Sequence, residues 1–171
     1  MIHGRFQPFH NGHLEYLQGA AERSDEVFVG ITNPDPKRIK PEASDPLRHL
    51  PESNPFSYVE RLLMVKAAGA DVGIASERLH VIPFPVNEPE LWDAYVPADV
   101  TQYIRLFSDW GGTKLDRLRS AGYQVVVLDE GAEKHLSGAD VRAALREGGD
   151  WEPLVPPGVA AVLKRLERVP V

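Results

Sequence analysis

The stretch GRFQPFHNGH, residues 4–13, combines two glycines, a proline, an arginine and two histidines in ten positions. His10 and His13 stand directly before the segment NGHLEYLQGAAERSDE, in which the spacing of apolar residues predicts a helix. The first N–H groups of a helix have no partner within it and carry a partial positive charge, which attracts phosphate. The stretch therefore predicts an anion site at the start of the first helix.

Other residues of the stretch suit the same purpose. Gly4 lets the backbone approach a ligand, Pro8 stiffens the turn, and Arg5 is a planar cation that matches phosphate. The motif GxxxxGK[ST] is absent from the sequence, so a polyphosphate site here would lack a Walker lysine. Two simpler interpretations stay open: exposed or capping histidines, and a pair of metal ligands three residues apart.

Strand patterns alternate with helix patterns along the chain. After the short apolar start MIH, strands are predicted within 26–31, 78–86, 102–107 and 123–129, and helices within 57–70, 88–96, 112–122, 137–149 and 156–169. This order predicts an α/β fold with a doubly wound, parallel, Rossmann-like sheet. Ligands of such sheets bind at the carboxyl ends of the strands, near the point where the strand order reverses.

Bulk properties narrow the class of protein. A length of 171 residues predicts one domain, 1–171, and a net charge of −6 argues against a general nucleic-acid binder. The absence of cysteine excludes disulfides and thiolate metal sites. We see no membrane-spanning run and no secretion signal, so a cytoplasmic protein without membrane partners is expected, and a homo-oligomer is left open.

A second motif, LSGADVR at residues 136–142, is predicted to complement the first. Ser137 is a candidate cap for the next helix, whose start would again face an anion, and Gly138 follows it. Arg142 lies about one and a half turns further on and could reach the same phosphates. Taken alone, the motif is more typical of a capped surface helix that carries an arginine.

Together the two motifs resemble the signatures of the nucleotidylyltransferase superfamily, His-x-Gly-His and Ile-Ser-Gly-Thr-x-x-Arg, with Ala139 in place of the threonine. The preceding Arg-Phe-Gln-Pro is similar to archaeal-type nicotinamide mononucleotide (NMN) adenylyltransferases. The resemblance implies transfer of a nucleoside monophosphate from a nucleoside triphosphate (NTP) to a small anionic acceptor, with release of pyrophosphate and with Mg²⁺ as cofactor, but no protein metal ligand is named. It implies catalytic roles for His10, His13 and Arg142, and nucleotide binding by Gly4, Arg5, Phe6, Gln7, Gly12, Ser137 and Gly138.

The resemblance is weaker on the acceptor side. NPFSYVER at 54–61 suggests Arg61 as an anion contact. PVNEPELW at 85–92 keeps the tryptophan of the family's nicotinamide segment as Trp92 but has Val86 and Pro89 at its polar positions, which leaves Asn87 as a candidate replacement. The proline-rich loop 32–56 is predicted to be either a solvated, mobile loop or a lid whose Lys37 and Arg48 bind the acceptor.

Three functions therefore remain open. The first is NMN adenylylation with ATP. The second is CTP-dependent cytidylylation of a small phosphonate or phosphate, a compact anion that needs cations and no nicotinamide pocket. The third is a nucleotide sensor that has lost catalysis, and pyrophosphate release would separate it from both enzymes.

Overall fold

The computed structural model describes residues 1–39, 47, 49–106, 109–130 and 135–166. The strands are β1 (Ile2–Gly4), β2 (Val27–Thr32), β3 (Leu79–Phe84), β4 (Gln102–Leu106) and β5 (Val125–Glu130). The helices are α1 (Asn11–Ala21), α2 (Tyr58–Asp71), α3 (Asp109–Ser120), α4 (Gly138–Glu147) and α5 (Pro157–Arg165).

All the paired strands are parallel. β2 pairs with β1 on one side and β3 on the other, and β4 pairs with β5. The amide of Tyr103 donates to the carbonyl of Met1 at 2.8 Å, which places β4 beside β1. The strand order is therefore β3-β2-β1-β4-β5, and it reverses between β1 and β4. The predicted parallel α/β fold is confirmed.

Apolar residues pack on both faces of this sheet. One core combines β1 and β2 with α1, α2, α4 and α5, and the other combines the ends of β3 and β4 with α3. Successive strand residues point to opposite faces, so Tyr103 belongs to the first core and its neighbour Ile104 to the second. Helices on both faces explain the continuous apolar run within the predicted strand 26–31.

Helix ends follow the local sequence. Ser57 caps α2 and exchanges hydrogen bonds with Glu60 in a capping box, while α4 ends at Gly148 in the left-handed region, at φ 64°. The predicted helix within 88–96 is a 3-10 helix, Pro89–Ala94, that starts at a proline. The predicted loop 32–56 contains 3-10 turns at Pro36–Arg38 and Pro51–Ser53, whereas Arg48 lies outside the described residues.

A buried arginine of α2 joins the loops that follow β1 and β2. Arg61 is 2% exposed, and burial lowers its pKa to about 10. Its guanidinium donates to the carbonyls of Arg5 at 2.9 Å, Thr32 at 2.8 Å and Asn33 at 2.9 Å, and its Nε donates to that of Ser57 at 3.2 Å. The sequence suggested an acceptor contact for Arg61. The structure instead engages the guanidinium with backbone carbonyls that would otherwise be buried without donors.

We expect Arg61→Lys to lower the free energy of unfolding by about 2–4 kcal/mol, because one ammonium cannot reach four carbonyls in different directions. Urea unfolding at neutral pH measures the change. Arg146→Lys, on the exposed end of α4, is the matched control and should change the unfolding free energy by less than about 0.5 kcal/mol. Equal stability of the two variants would contradict the bracing role.

Candidate active site

The two histidines of the first motif stack at the start of α1. His10 is the residue before the helix, and its ring lies 3.6 Å from that of His13, centroid to centroid, at an interplanar angle of 24°. The amide of His10 donates to Nδ1 of His13 at 3.3 Å. Because Nδ1 accepts a hydrogen bond, a neutral His13 carries its proton on Nε2. His13 can therefore offer Nε2–H as a donor to a ligand.

Aromatic packing fixes the position of these rings. Phe6 and Phe9 are 1% and 0% exposed, and their centroids lie 4.9 Å and 5.4 Å from that of His13. A Cβ on Gly4 would lie 2.9 Å from the Phe6 ring, so this glycine makes room for Phe6 rather than for the ligand that the sequence suggested. Phe6 itself adopts a left-handed φ of 53°, a strained conformation that buried packing must maintain.

Gln7 ties this loop to the segment before α2. Its side-chain amide donates to the carbonyl of Phe56 and accepts from the Phe56 amide, both at 2.9 Å. Gln7 is 4% exposed. The sequence predicts nucleotide binding for its side chain, which here forms hydrogen bonds with the backbone of Phe56. Arg5 is half-buried and its carbonyl is one of those that Arg61 engages.

The second motif meets the first, although 135 positions separate the contacting residues Gln7 and Arg142. Nη1 of Arg142 donates to the Gln7 carbonyl at 2.6 Å. A Cβ on Gly138 would lie 2.8 Å from that same carbonyl oxygen, so only glycine allows this approach. The starts of α1 and α4 therefore lie together, as the pairing of motifs predicted.

Ser137 caps α4 as predicted, with a partner that the sequence analysis did not identify. The Ser137 amide donates to Oδ2 of Asp140 at 2.7 Å, and the Asp140 amide donates to the Ser137 hydroxyl oxygen at 3.3 Å. This capping box places a carboxylate in the first turn of α4. Its negative charge offsets part of the attraction of this helix start for phosphate.

A cavity of about 250 Å³ opens at the reversal point between β1 and β4. Its lining includes His10, Gly12 and His13, together with His3, Arg105 and Lys114, which the sequence analysis did not single out. Burial holds the pKa of His3 well below its ordinary value, and the charge of Lys114 acts in the same direction, so His3 is neutral. The signal that could have revealed Arg105 is a charge inside an otherwise apolar strand.

A second cavity, of about 580 Å³, lies beyond the carboxyl ends of β2 and β3. Lys37 and Asn87, both predicted acceptor residues, line it together with Arg38 and Glu88, which form an ion pair at 2.7 Å. Trp92 does not line this cavity. It is 1% exposed, donates from its indole N–H to the Pro85 carbonyl at 2.9 Å and packs on Phe84, so its position corrects the predicted acceptor contact.

The described residues contain neither a metal-ligand cluster nor a membrane-spanning helix. Among them, we find no group of three His, Asp or Glu side chains arranged to hold a metal ion. In the same part of the chain, every helix is too short or too polar to cross a membrane.

The geometry thus defines a Rossmann-like fold in which two sequence motifs converge at the reversal point of the sheet. Residues 1–144 match the cytidylyltransferase-like family, and the chain belongs to that family. It is 49% identical to the phosphonoformate cytidylyltransferase of Streptomyces viridochromogenes, over 96% of this chain and 89% of that protein. It is 34% identical to the nicotinamide-nucleotide adenylyltransferase of Thermococcus onnurineus, over 97% of this chain and 82% of that one.

Solved structures agree in fold. A bifunctional NMN adenylyltransferase/ADP ribose pyrophosphatase from Francisella tularensis superposes with a TM-score of 0.69 at 17% identity, covering 98% of this chain and 48% of the other, so this chain spans about half of that protein. A second structure of the same kind is complexed with AMP and a manganese ion. The prediction that this chain is a nucleotidyltransferase is confirmed by its family and relatives.

We expect Gly138→Ala to reduce pyrophosphate-releasing turnover about 10- to 100-fold, because the added methyl group would push α4 away from the loop that carries the histidines. Steady-state kinetics with the best substrate pair measures the loss. Gly112→Ala, on α3, is the control, since a Cβ there meets no atom within 4 Å. If both variants keep wild-type turnover, the close approach of the two motifs is not needed for the reaction.

Proposed function

We propose that the protein is a CTP-dependent cytidylyltransferase whose acceptor is a small, highly charged phosphonate. The observation that carries the proposal is the 49% identity to a phosphonoformate cytidylyltransferase over nearly the whole of both chains. The adenylyltransferase relatives are 31% to 34% identical over similar lengths. Both activities were alternatives at the level of sequence, and this difference favours the cytidylyltransferase.

The cavity beyond β2 and β3 supports this choice of acceptor. It offers the cationic side chains of Lys37 and Arg38 to a compact anion, beside the carboxylates of Asp35, Glu88 and Glu90. Asn33 and Asn87 are amide side chains in its lining, while the tryptophan of the nicotinamide segment is buried in the core beneath. A pocket that recognises a carboxamide needs several placed polar partners, and the loss of them weakens selection for nicotinamide.

The proposed reaction is a direct displacement. A phosphonate oxygen of the acceptor attacks the α-phosphorus of CTP, a new P–O bond forms, and the bond to the bridging oxygen of pyrophosphate breaks. The nucleophile is already an anion, so the reaction needs no general base and no covalent enzyme intermediate. Catalysis then consists of positioning and of stabilising the charge that develops on the phosphoryl group.

Each motif residue has a task in this scheme. His10 and His13 hydrogen-bond the α-phosphoryl group in the transition state, with Nε2–H of His13 as one donor. Arg5, Ser137 and Arg142 contact the β- and γ-phosphates. Backbone amides from Gly12 and Gly138 add to this cradle.

Magnesium belongs to the substrate in this proposal. Mg²⁺ keeps several waters and binds NTP oxygens with few protein carboxylates. The carboxylates of Glu15 and Asp129 near the first cavity form ion pairs with Arg105, and no three-ligand cluster occurs among the described residues. The donor set therefore fits a nucleotide that arrives as its magnesium complex.

The proposal is tested with a matrix of CTP, ATP, GTP and UTP against phosphonoformate, NMN and nicotinate mononucleotide, read by pyrophosphate release. We expect kcat/KM for CTP with phosphonoformate to exceed that for ATP with NMN by about 100-fold or more, because a site that lacks polar partners for a substrate selects against it on this scale.

His10→Ala and His13→Ala should each lower kcat with the best substrate pair about 100-fold or more, with unchanged circular dichroism.

Other outcomes of the matrix have separate meanings. Preference for ATP with NMN would contradict the cytidylyltransferase and favour the adenylyltransferase. Absence of pyrophosphate with every pair would favour the sensor. Wild-type turnover in both histidine variants would contradict the placement of the reaction at the first motif.

We expect Lys37→Ala to raise the KM for the acceptor about tenfold while the KM for the nucleotide stays unchanged, because one charge-assisted contact in the second cavity is lost. Initial rates at varied acceptor concentration measure this. Lys66→Ala, on the exposed face of α2, removes an equal charge elsewhere and serves as the control. Equal acceptor KM values for both variants would remove Lys37 from the acceptor site.

A further inference from the structure

A bulge in β5 places Asp129 beside Arg105 of β4. The pairing of β4 with β5 shifts between Ile104 and Arg105, so that Arg105 lies opposite Asp129 and Leu128 is skipped. Bulges of this kind re-aim side chains and are frequent next to active sites. The side chain of Arg105 is 16% exposed and lines the first cavity.

One guanidinium group connects three elements at this point. Nε of Arg105 lies 2.5 Å from Oδ2 of Asp129 on β5, and Nη2 lies 3.5 Å from Oε2 of Glu15 on α1. Nη1 donates to the carbonyl of Gly12 at 2.7 Å. Gly12 is the residue before His13, in the first turn of α1. Arg105 therefore holds the turn that carries the histidines against the opposite strand of the crevice.

Its charged neighbours distinguish Arg105 from an arginine that binds phosphate. Two carboxylates, from Glu15 and Asp129, form ion pairs with the guanidinium of Arg105, so acidic groups of the protein already offset its charge. The neutralised guanidinium of Arg105 suits a brace with fixed hydrogen-bond directions.

We propose that Arg105 is a positioning residue that acts through Gly12 to hold His10 and His13 in register with the α-phosphoryl group. This inference rests on the proposed function of the histidines, and it goes beyond that function by naming the group that orients them. Displacements of about 1 Å at reacting groups cost up to about 100-fold in rate, so a brace on this turn acts on the chemical step.

The test compares Arg105→Lys and Asp129→Asn with Arg23→Lys. Arg23 is the matched control because it also donates to a carbonyl of α1, that of Gly19 at 2.7 Å, but near the other end of the helix. We expect Arg105→Lys to lower kcat about 10- to 100-fold, with less than about threefold change in the KM or the calorimetric Kd for the nucleotide. Asp129→Asn should lower kcat in the same direction, and Arg23→Lys should match the wild type.

Hydrogen exchange provides a readout that does not depend on the substrate. Amides of residues 11–16 should exchange faster in Arg105→Lys than in Arg23→Lys, while those of α2 and α5 stay protected. Unchanged exchange at 11–16 would overturn the proposal whatever reaction the protein performs. A raised nucleotide Kd with unchanged kcat would also overturn it, since Arg105 would then bind the nucleotide directly. Inactivity of the wild type with every substrate pair would instead count against the proposed function alone.

Discussion

At the reversal point, the fold depends on side chains that donate hydrogen bonds to backbone carbonyls left unpaired by the sheet. Arg61 satisfies the carbonyls of Arg5, Thr32 and Asn33, where the chain leaves β1 and β2. Two residues on these loops, Phe6 and Asn33, have left-handed φ angles of 53° and 50°, which are costly without support. A buried guanidinium supplies several donors in fixed directions, and so it can hold both loops at once.

Further side chains continue the same principle toward the site. Gln7 pairs with the backbone of Phe56, Arg142 donates to Gln7, and Arg105 donates to Gly12. Arg142 and Arg105 fix the backbone of the first motif from distant segments, and Gln7 ties that motif to the segment before α2. Catalysis by positioning requires such rigidity, because electrostatic stabilisation of a transition state works only with donors already in place.

The strand order then separates two kinds of pocket. The first cavity lies between β1 and β4 beside the histidines, and the second lies beyond β2 and β3 with Lys37 and Arg38. The loop that carries the first motif follows β1, and β1 lies between the two cavities in the strand order. In the proposed reaction, nucleotide and acceptor approach this loop from its two sides, and the family motif can stay constant while the second cavity changes with the acceptor.

The sequence by itself determined the alternation of strands and helices, the caps at Ser57 and Ser137, and the reaction class, because periodicity, capping and the two motifs are local patterns. Only the tertiary structure decided what several of those residues do. Arg61 and Trp92, both predicted to contact the acceptor, are buried against backbone carbonyls, and Arg105 reaches the first motif from a strand more than 90 positions away along the chain. A side chain's hydrogen-bond partners depend on which distant backbone groups folding brings within about 3 Å, and no local pattern encodes that distance.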